Sequence, residues 1–219
     1  VLQPDIYLGY SRCCCRYGTR RGNPVRPIPC SQSCPQRHHR IASAVSLKHM
    51  SEFIIPPHNI SQPDNPVVFL AGPVQGSYNW QAVAANQLLA SPSAMSIISP
   101  RGAPELYKKP SAWLDAEQQT PWEKYHLRLA RETGVLAMWM AAQNYETPGR
   151  AHAQTSRIEF GKIIGWMDYD PTMRFVFGVD QLYNSGNQTY MEQDCKDHSI
   201  PIARSLDEWC EQIIQKLPC

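Results

Sequence analysis

The sequence predicts an α/β protein in which a parallel sheet is covered by helices on both faces. Two short runs, Val67-Val68-Phe69-Leu70-Ala71 and Val135-Leu136-Ala137-Met138-Trp139-Met140, are apolar at every position rather than at alternate ones, as strands buried on both faces are. Stretches of helical pattern separate such runs along the chain, and strand–helix alternation is the signature of a parallel sheet. With 219 residues, 42% of them hydrophobic, the chain can bury one sizeable core and leave an appendage over.

Taken in order, residues 50–66 include Pro56, Pro57, Pro63 and Pro66 and read as a linker or extended lead-in. Val67–Ala71 is the first strand and breaks at Gly72-Pro73; a helix follows over 80–90. Met95-Ser96-Ile97-Ile98 is the second strand, ended by Ser99-Pro100-Arg101-Gly102. A long loop with Pro104 and Pro110 leads to Thr120-Pro121-Trp122-Glu123, where an N-cap residue, a proline at N1 and a glutamate at N3 predict a helix running to about Glu132. Then come the strand 135–140, the polar loop 141–154, a helix from about 156 to 167, a strand over 174–179, a polar helix near 187–197 and a short strand at 200–203. The terminal helix is capped by Ser205-x-x-Glu208, and Leu206, Trp209, Cys210, Ile213, Ile214 and Leu217 share its apolar face. Five strands and five helices fit a flavodoxin-like, doubly wound five-stranded sheet. Its ligand crevice lies where the loops after the first and third strands diverge.

The first 49 residues have different physics. They hold seven Arg, one Lys and one acid for a net charge of +7, whereas residues 50–219 carry a net −5. This segment has five cysteines, five prolines and no apolar periodicity. It cannot bury enough surface to offset its ordering entropy and is expected to be a disordered extension. A zinc knot at Cys30-x3-Cys34-x3-His38 lacks a Cys-x2-Cys pair, and the arginines are not interleaved with aromatics as a nucleic-acid arm would have them. No nucleic-acid polymer is therefore expected as a partner. Met50 is the first methionine and stands just ahead of the coherent domain at 67–219, so the segment also reads as foreign to the native protein. Cys195, Cys210 and Cys219 are too few and too spread to form a disulfide framework, which points to a reducing, cytoplasmic setting. No apolar run approaches the ~18 residues that span a bilayer, and no membrane partner is expected.

The candidate chemistry centres on Glu159. It follows the strand 135–140 and opens an apolar helix, so it is delivered to the carboxyl end of a buried parallel strand. Ser156-x-x-Glu159 is equally a capping box, in which the glutamate only reaches back to the N-cap amide. The loop Ala71-Gly72-Pro73-Val74-Gln75-Gly76-Ser77 has two glycines that let backbone approach a ligand, or serves as an ordinary strand-to-helix turn. It matches neither G-x-G-x-x-G nor G-x-x-x-x-G-K-[ST], so a dinucleotide site and a Walker-type NTPase are disfavoured.

The order and spacing of five short motifs resemble the nucleoside 2-deoxyribosyltransferase family, in particular its branch that opens with a Phe-Leu-Ala-Gly-Pro strand. These motifs are Val-Phe-Leu-Ala-Gly-Pro at 68–73 with Trp80 downstream, Ser-Pro-Arg-Gly at 99–102, Pro-Trp-Glu at 121–123, the strand ending in Met-Trp-Met, and Ile-Glu-Phe-Gly at 158–161. The resemblance covers residues 67–180. It implies a flavodoxin-like fold and cleavage of the N-glycosidic bond of 2′-deoxynucleosides, by a nucleophile in a Glu-x-Gly motif at a helix start, here Glu159-Phe160-Gly161. It also implies a base-handling acid seven residues before the alanine that closes the preceding helix, which is Glu123 here, in place of the more usual Asp. The chain departs from the family at Arg131 and Ala153, where many members carry acids.

The chemistry fits two carboxyl groups. Substitution at an anomeric carbon passes through an oxocarbenium-like state that a carboxylate stabilises and traps, and the departing base needs a proton from a second carboxylic acid. The expected substrate-binding residues are Gly72, Pro73, Gly76, Ser77, Trp80, Arg101 and Ser156. Tyr78, Trp80 and Trp122 are candidates to stack on a base or to pack, Arg101 to pair an anion, and His126 and His152 to be surface residues or ligands. No metal or redox cofactor is implied, the substrate is a nucleoside or nucleotide, and the resemblance implies a homo-oligomer. Two alternatives stand beside the transferase: a nucleoside 5′-monophosphate N-glycosidase, with Gly76, Ser77 and Arg101 on the phosphate, and a non-catalytic nucleotide-binding module in which Glu159 is only a cap.

Overall fold

A computed structural model describes residues 50–101, 116–184 and 188–218. Its elements are β1 (Glu52–Ile54), β2 (Val67–Ala71), α1 (Trp80–Leu89), β3 (Ser96–Ile98), α2 (Ala116–Thr133), β4 (Val135–Met140), α3 (Gln154–Tyr169), β5 (Phe175–Val179), α4 (Gln188–Asp197), β6 (Ile202–Ala203) and α5 (Leu206–Lys216). The strands form one all-parallel sheet in the order β1-β3-β2-β4-β5-β6. Without β1 this is the flavodoxin-like doubly wound order, and the direction of winding reverses between β2 and β4. Residues 1–49, the loop around Pro104 and Pro110, and Cys219 lie outside the described residues.

Each strand serves two cores because successive side chains point to opposite faces. On β4, Leu136, Met138 and Met140 join Trp122, Leu127, Phe160, Ile163, Met191 and Cys195 on the face covered by α2, α3 and α4. Val135, Ala137 and Trp139 join Trp80, Leu88, Trp209 and Ile213 beneath α1 and α5. All six residues of β4 are buried, as are all five of β2 and of β5. Full burial of a large aliphatic or aromatic side chain contributes about 1.5–3 kcal/mol, which is why these runs are uniformly apolar. On β5, Gly178 provides space: a Cβ there would lie 2.4 Å from the Trp139 ring and 2.8 Å from that of Trp209. Cys195 and Cys210 are buried free thiols whose pKa values burial pushes up to about 12, so they pack as small hydrophobes.

Two expectations need correction. The sheet has six strands among the described residues rather than five, and the extra strand, β1, lies in the stretch read as a linker. It pairs in parallel with β3, Phe53 opposite Ile97. The rest of the lead-in is fastened to α2: the Trp122 indole donates to the His58 carbonyl at 2.7 Å, the Tyr125 hydroxyl to the Ile60 carbonyl at 3.0 Å, and the Ile60 amide to His126 Nε2 at 3.4 Å. A three-residue edge strand with one buried side chain has no periodicity to read; backbone hydrogen bonds and the side chains of α2 hold it in place.

Candidate active site

The chain leaves β2 and β4 in diverging directions, and the loops that follow them, with α2 and α3, enclose a crevice of about 370 Å³ at the carboxyl edge of the sheet. Gly72 and Pro73 form one wall, Arg150 to Ser156 the opposite one, and Glu123 of α2 and Glu159 of α3 both line it. The topology therefore brings together the two carboxyl groups expected from the sequence.

Neither helix begins where its sequence suggests. α3 starts at Gln154, two residues before Ser156, behind Ala153 in the left-handed conformation (φ 55°, ψ 25°), with no side chain capping it. The first helical bond runs from the Arg157 amide to the Ala153 carbonyl at 3.0 Å. Ser156 is thus already helical, and Glu159 lies in the second turn, beyond reach of an N-cap amide. The capping box is not formed, because the preceding loop delivers the chain early. His152 Nε2 lies 2.9 Å from the Ala141 carbonyl, and Thr147-Pro148-Gly149-Arg150 makes a turn with Gly149 at φ 71°. In α2, Pro121 is inside the helix rather than at N1. So close to the helix start a proline removes one backbone bond without ending the helix. Glu123 Oε1 accepts from Gln119 Nε2 at 2.7 Å, one turn back.

Burial, and then the neighbouring charge of Glu123, raise the Glu159 carboxyl from 4.5 to about 7, against the pull of Lys162. Burial also raises Glu123, opposed by its Gln119 hydrogen bond and by Arg150. Two carboxyl groups this close titrate as a pair, and near neutrality the second proton is only half lost. The consequence for stability has a definite sign. Between pH 4.5 and about 7 the folded protein binds more protons than the unfolded chain, so stability falls as pH rises through that window and is flat above it. The penalty above pH 7 is on the order of 3 kcal/mol. Glu159→Gln removes it, so the variant should gain stability over the parent between pH 4 and pH 8. A urea-denaturation difference that is the same at both pH values would contradict this account.

Of the other expected site residues, Gly72, Pro73 and Ser156 line the crevice, whereas Gly76, Ser77, Trp80 and Arg101 do not. Gly76, at φ 79°, gives its carbonyl to the amides of Asn144 (2.7 Å) and Tyr145 (3.3 Å) and so ties the two loops together. Ser77 is buried and gives its carbonyl to Arg101 Nη2 at 3.4 Å; the same nitrogen donates to the Val74 carbonyl, so Arg101 staples the β2 loop from inside. Trp80 is a core residue: its indole donates to the Pro73 carbonyl at 2.9 Å and its ring meets Trp209 edge-on at 5.7 Å. Tyr78 donates to Asp180 at 3.3 Å, away from the crevice, and Trp122 is buried against the lead-in. His126 is a fully buried member of α2 whose Nδ1 lies 2.9 Å from the Trp122 carbonyl, and burial lowers its pKa. His152 lines the crevice.

The sequence reading missed Arg150, which lines the crevice and donates to Gln75 Oε1 at 3.0 Å and Thr155 Oγ1 at 2.8 Å. The signal was there: Pro148-Gly149 is a type II turn pair, and Arg150 is its last residue. Among the described residues no group of three His, Cys, Asp or Glu side chains is placed to hold a metal ion, and no helix is long and apolar enough to cross a membrane. No family model matches the chain, and no curated protein is significantly similar to it.

Proposed function

We propose that the protein cleaves the N-glycosidic bond of a nucleoside or nucleotide through a covalent glycosyl-glutamate intermediate. The observation that carries the reading is the pairing of Glu123 and Glu159 in one crevice at the point where the sheet reverses its winding, with the Glu159 proton held to about pH 7. Perturbed carboxyl pairs in a cleft are the usual equipment of glycosidic chemistry. The unformed capping box adds support, because the cap role that competed for Glu159 is vacant and the carboxylate accepts no hydrogen bond from a described residue. The motif resemblance to nucleoside 2-deoxyribosyltransferases points the same way and extends to a homo-oligomer.

In the first step a Glu159 carboxylate oxygen bonds to the anomeric carbon as the carbon–nitrogen bond breaks. The bond pair goes to the base nitrogen and Glu123 supplies its proton. In the second, water or the nitrogen of an acceptor base attacks the same carbon, its proton passes to Glu123, and Glu159 is released. The first step needs Glu159 ionised and Glu123 protonated. Glu159 keeps its proton to about pH 7, so kcat/KM should rise as pH increases toward 7 and fall again only where Glu123, itself raised by burial, loses its proton.

Incubation with deoxynucleosides and their monophosphates, with and without an acceptor base, tests the reading, together with mass spectrometry of Glu159. A sugar adduct on that residue supports it. Glu123→Gln gives a second test, because the amide keeps the side-chain volume but donates no acidic proton. It should slow poor leaving groups ~10²-fold or more and activated ones far less. Equal slowing across leaving groups would reduce Glu123 to a positioning role.

A further inference from the structure

We infer that Gln119 is a positioning residue for Glu123: its amide holds Oε1 of that carboxyl, so that the proton resides on Oε2, the oxygen left for a departing base. The placement of the proton rests on hydrogen bonds alone; its use in leaving-group departure rests on the glycosidic reading above.

Gln119 stands one turn before Glu123 on α2, and both line the crevice together with Pro100. Its Nε2 donates to Glu123 Oε1 at 2.7 Å and to the Pro100 carbonyl at 3.3 Å. An amide nitrogen carries two hydrogens and an amide oxygen none, so two acceptors on one side fix which way the amide faces. Turned the other way, its oxygen would meet the Pro100 carbonyl with no hydrogen between them. In a protonated carboxyl the carbonyl oxygen is the better acceptor, so the bond to Oε1 assigns the proton to Oε2.

The anchor lies outside α2. Pro100 follows β3 in a turn closed on itself, where the Arg101 amide donates to Ser99 Oγ at 3.2 Å and that hydroxyl donates to the Arg101 carbonyl at 3.3 Å. The Ser99 amide in turn donates to the Ile54 carbonyl of β1 at 3.0 Å. The sheet therefore holds the Gln119 amide, and through it the acid, at a set place beyond the strand ends.

Electrostatics supports the same role. Burial raises the Glu123 carboxyl, and the Gln119 bond is the larger of the two influences that oppose it, ahead of Arg150. A general acid works best when it releases its proton near the operating pH, so this bond keeps a buried acid strong enough to give its proton up. The charged or titratable groups around the carboxyl are Arg150 and His152 from the loop before α3, and Glu159 and Lys162 from α3; the β2 loop and Pro100 contribute none to the crevice. Lys124, next to Glu123 on α2, is exposed. Arg150 acts on Glu123 through space and does not distinguish one of its oxygens from the other. Among the described residues only Gln119 does so, by its hydrogen bond.

Gln119→Met keeps the length of the side chain and removes both donors. Infrared titration of the full chain, with the protonated Glu123 band identified by its loss in Glu123→Gln, reads the carboxyl without any turnover. Removing a bond that favours the ionised form should move the Glu123 midpoint to higher pH. Gln119→Asn, one methylene too short to span both acceptors, should move it the same way. In the kinetic arm, the fall of kcat/KM at high pH should follow to higher pH in Gln119→Met. The rise below pH 7 should move lower, because a Glu123 that stays neutral no longer raises Glu159. At the same time kcat should drop ~10-fold or more for poor leaving groups and less for activated ones, with KM nearly unchanged. A glutamine that only braces the helix would lower the melting temperature and leave both limbs of the pH profile in place. That result would overturn the role, as would an unmoved infrared midpoint in both variants. A moved midpoint in a protein that cleaves no nucleoside or nucleotide would refute the glycosidic reading and leave the proton placement standing. A cleaving parent whose midpoint does not move in either variant would do the reverse.

Discussion

Glu159→Gln is expected to lower turnover of a cleaved substrate by at least ~10³-fold while the protein remains folded. The amide fills nearly the same volume, but it has no anionic oxygen to bond to the anomeric carbon or to stabilise the positive charge that develops there. Nothing in the fold should fail with it. The α3 helix is initiated by Ala153, its first bond comes from Arg157, and the Glu159 carboxylate accepts no hydrogen bond from a described residue. Substrate binding should survive in the variant, and the sugar adduct seen on the parent should be missing. A variant that turned over at near the parental rate, on a substrate the parent demonstrably cleaves, would show that the carboxylate is not the nucleophile.

Gly72→Ala should produce the largest loss of stability of any single methyl addition around the crevice, at least ~3 kcal/mol. Gly72 has φ +144°, a conformation that residues with a Cβ rarely adopt, and an added Cβ would lie 2.2 Å from the Trp139 carbonyl oxygen and 2.8 Å from the Trp80 ring. The first obstacle is backbone in the centre of the sheet, so β2 and β4 would have to separate where their ends form the crevice. Gly149→Ala is the control. That glycine also has positive φ (+71°), but a Cβ there meets nothing within 4 Å, so only the backbone strain of about 1 kcal/mol should appear. Urea midpoints for the two variants should differ accordingly, and equal destabilisation would mean that the steric account of Gly72 is wrong.

The elements that the sequence located to the residue are those whose environment is uniform. β2 and β4 are apolar throughout because helices cover both faces, and α5 shows a single apolar face over Trp209, Cys210 and Ile213 with Ser205 accepting from the Glu208 amide at 3.2 Å. The starts of α2 and α3 were misplaced because a good cap sequence is a local preference worth about 1 kcal/mol, which tertiary contacts in the preceding segment readily override. Trp80 looked like a ligand-facing aromatic by position after the Gly-Pro loop, yet Gly178 on β5 leaves room for the cluster of Trp139 and Trp209 that it joins.

By itself the sequence determined the alternation of buried strands and helices, the reversal point between β2 and β4, and the delivery of Glu123 and Glu159 toward it. These follow from hydrophobic periodicity and chain order, which are properties of short segments. Only the tertiary structure decided that Arg101 turns inward to the Val74 and Ser77 carbonyls while Arg150 faces the crevice, that Glu159 is released from capping, and that its proton persists to about pH 7. Where a loop side chain points and what field surrounds a carboxyl depend on groups contributed by segments remote in the chain. Those groups meet only when the sheet has assembled and water has been excluded between them.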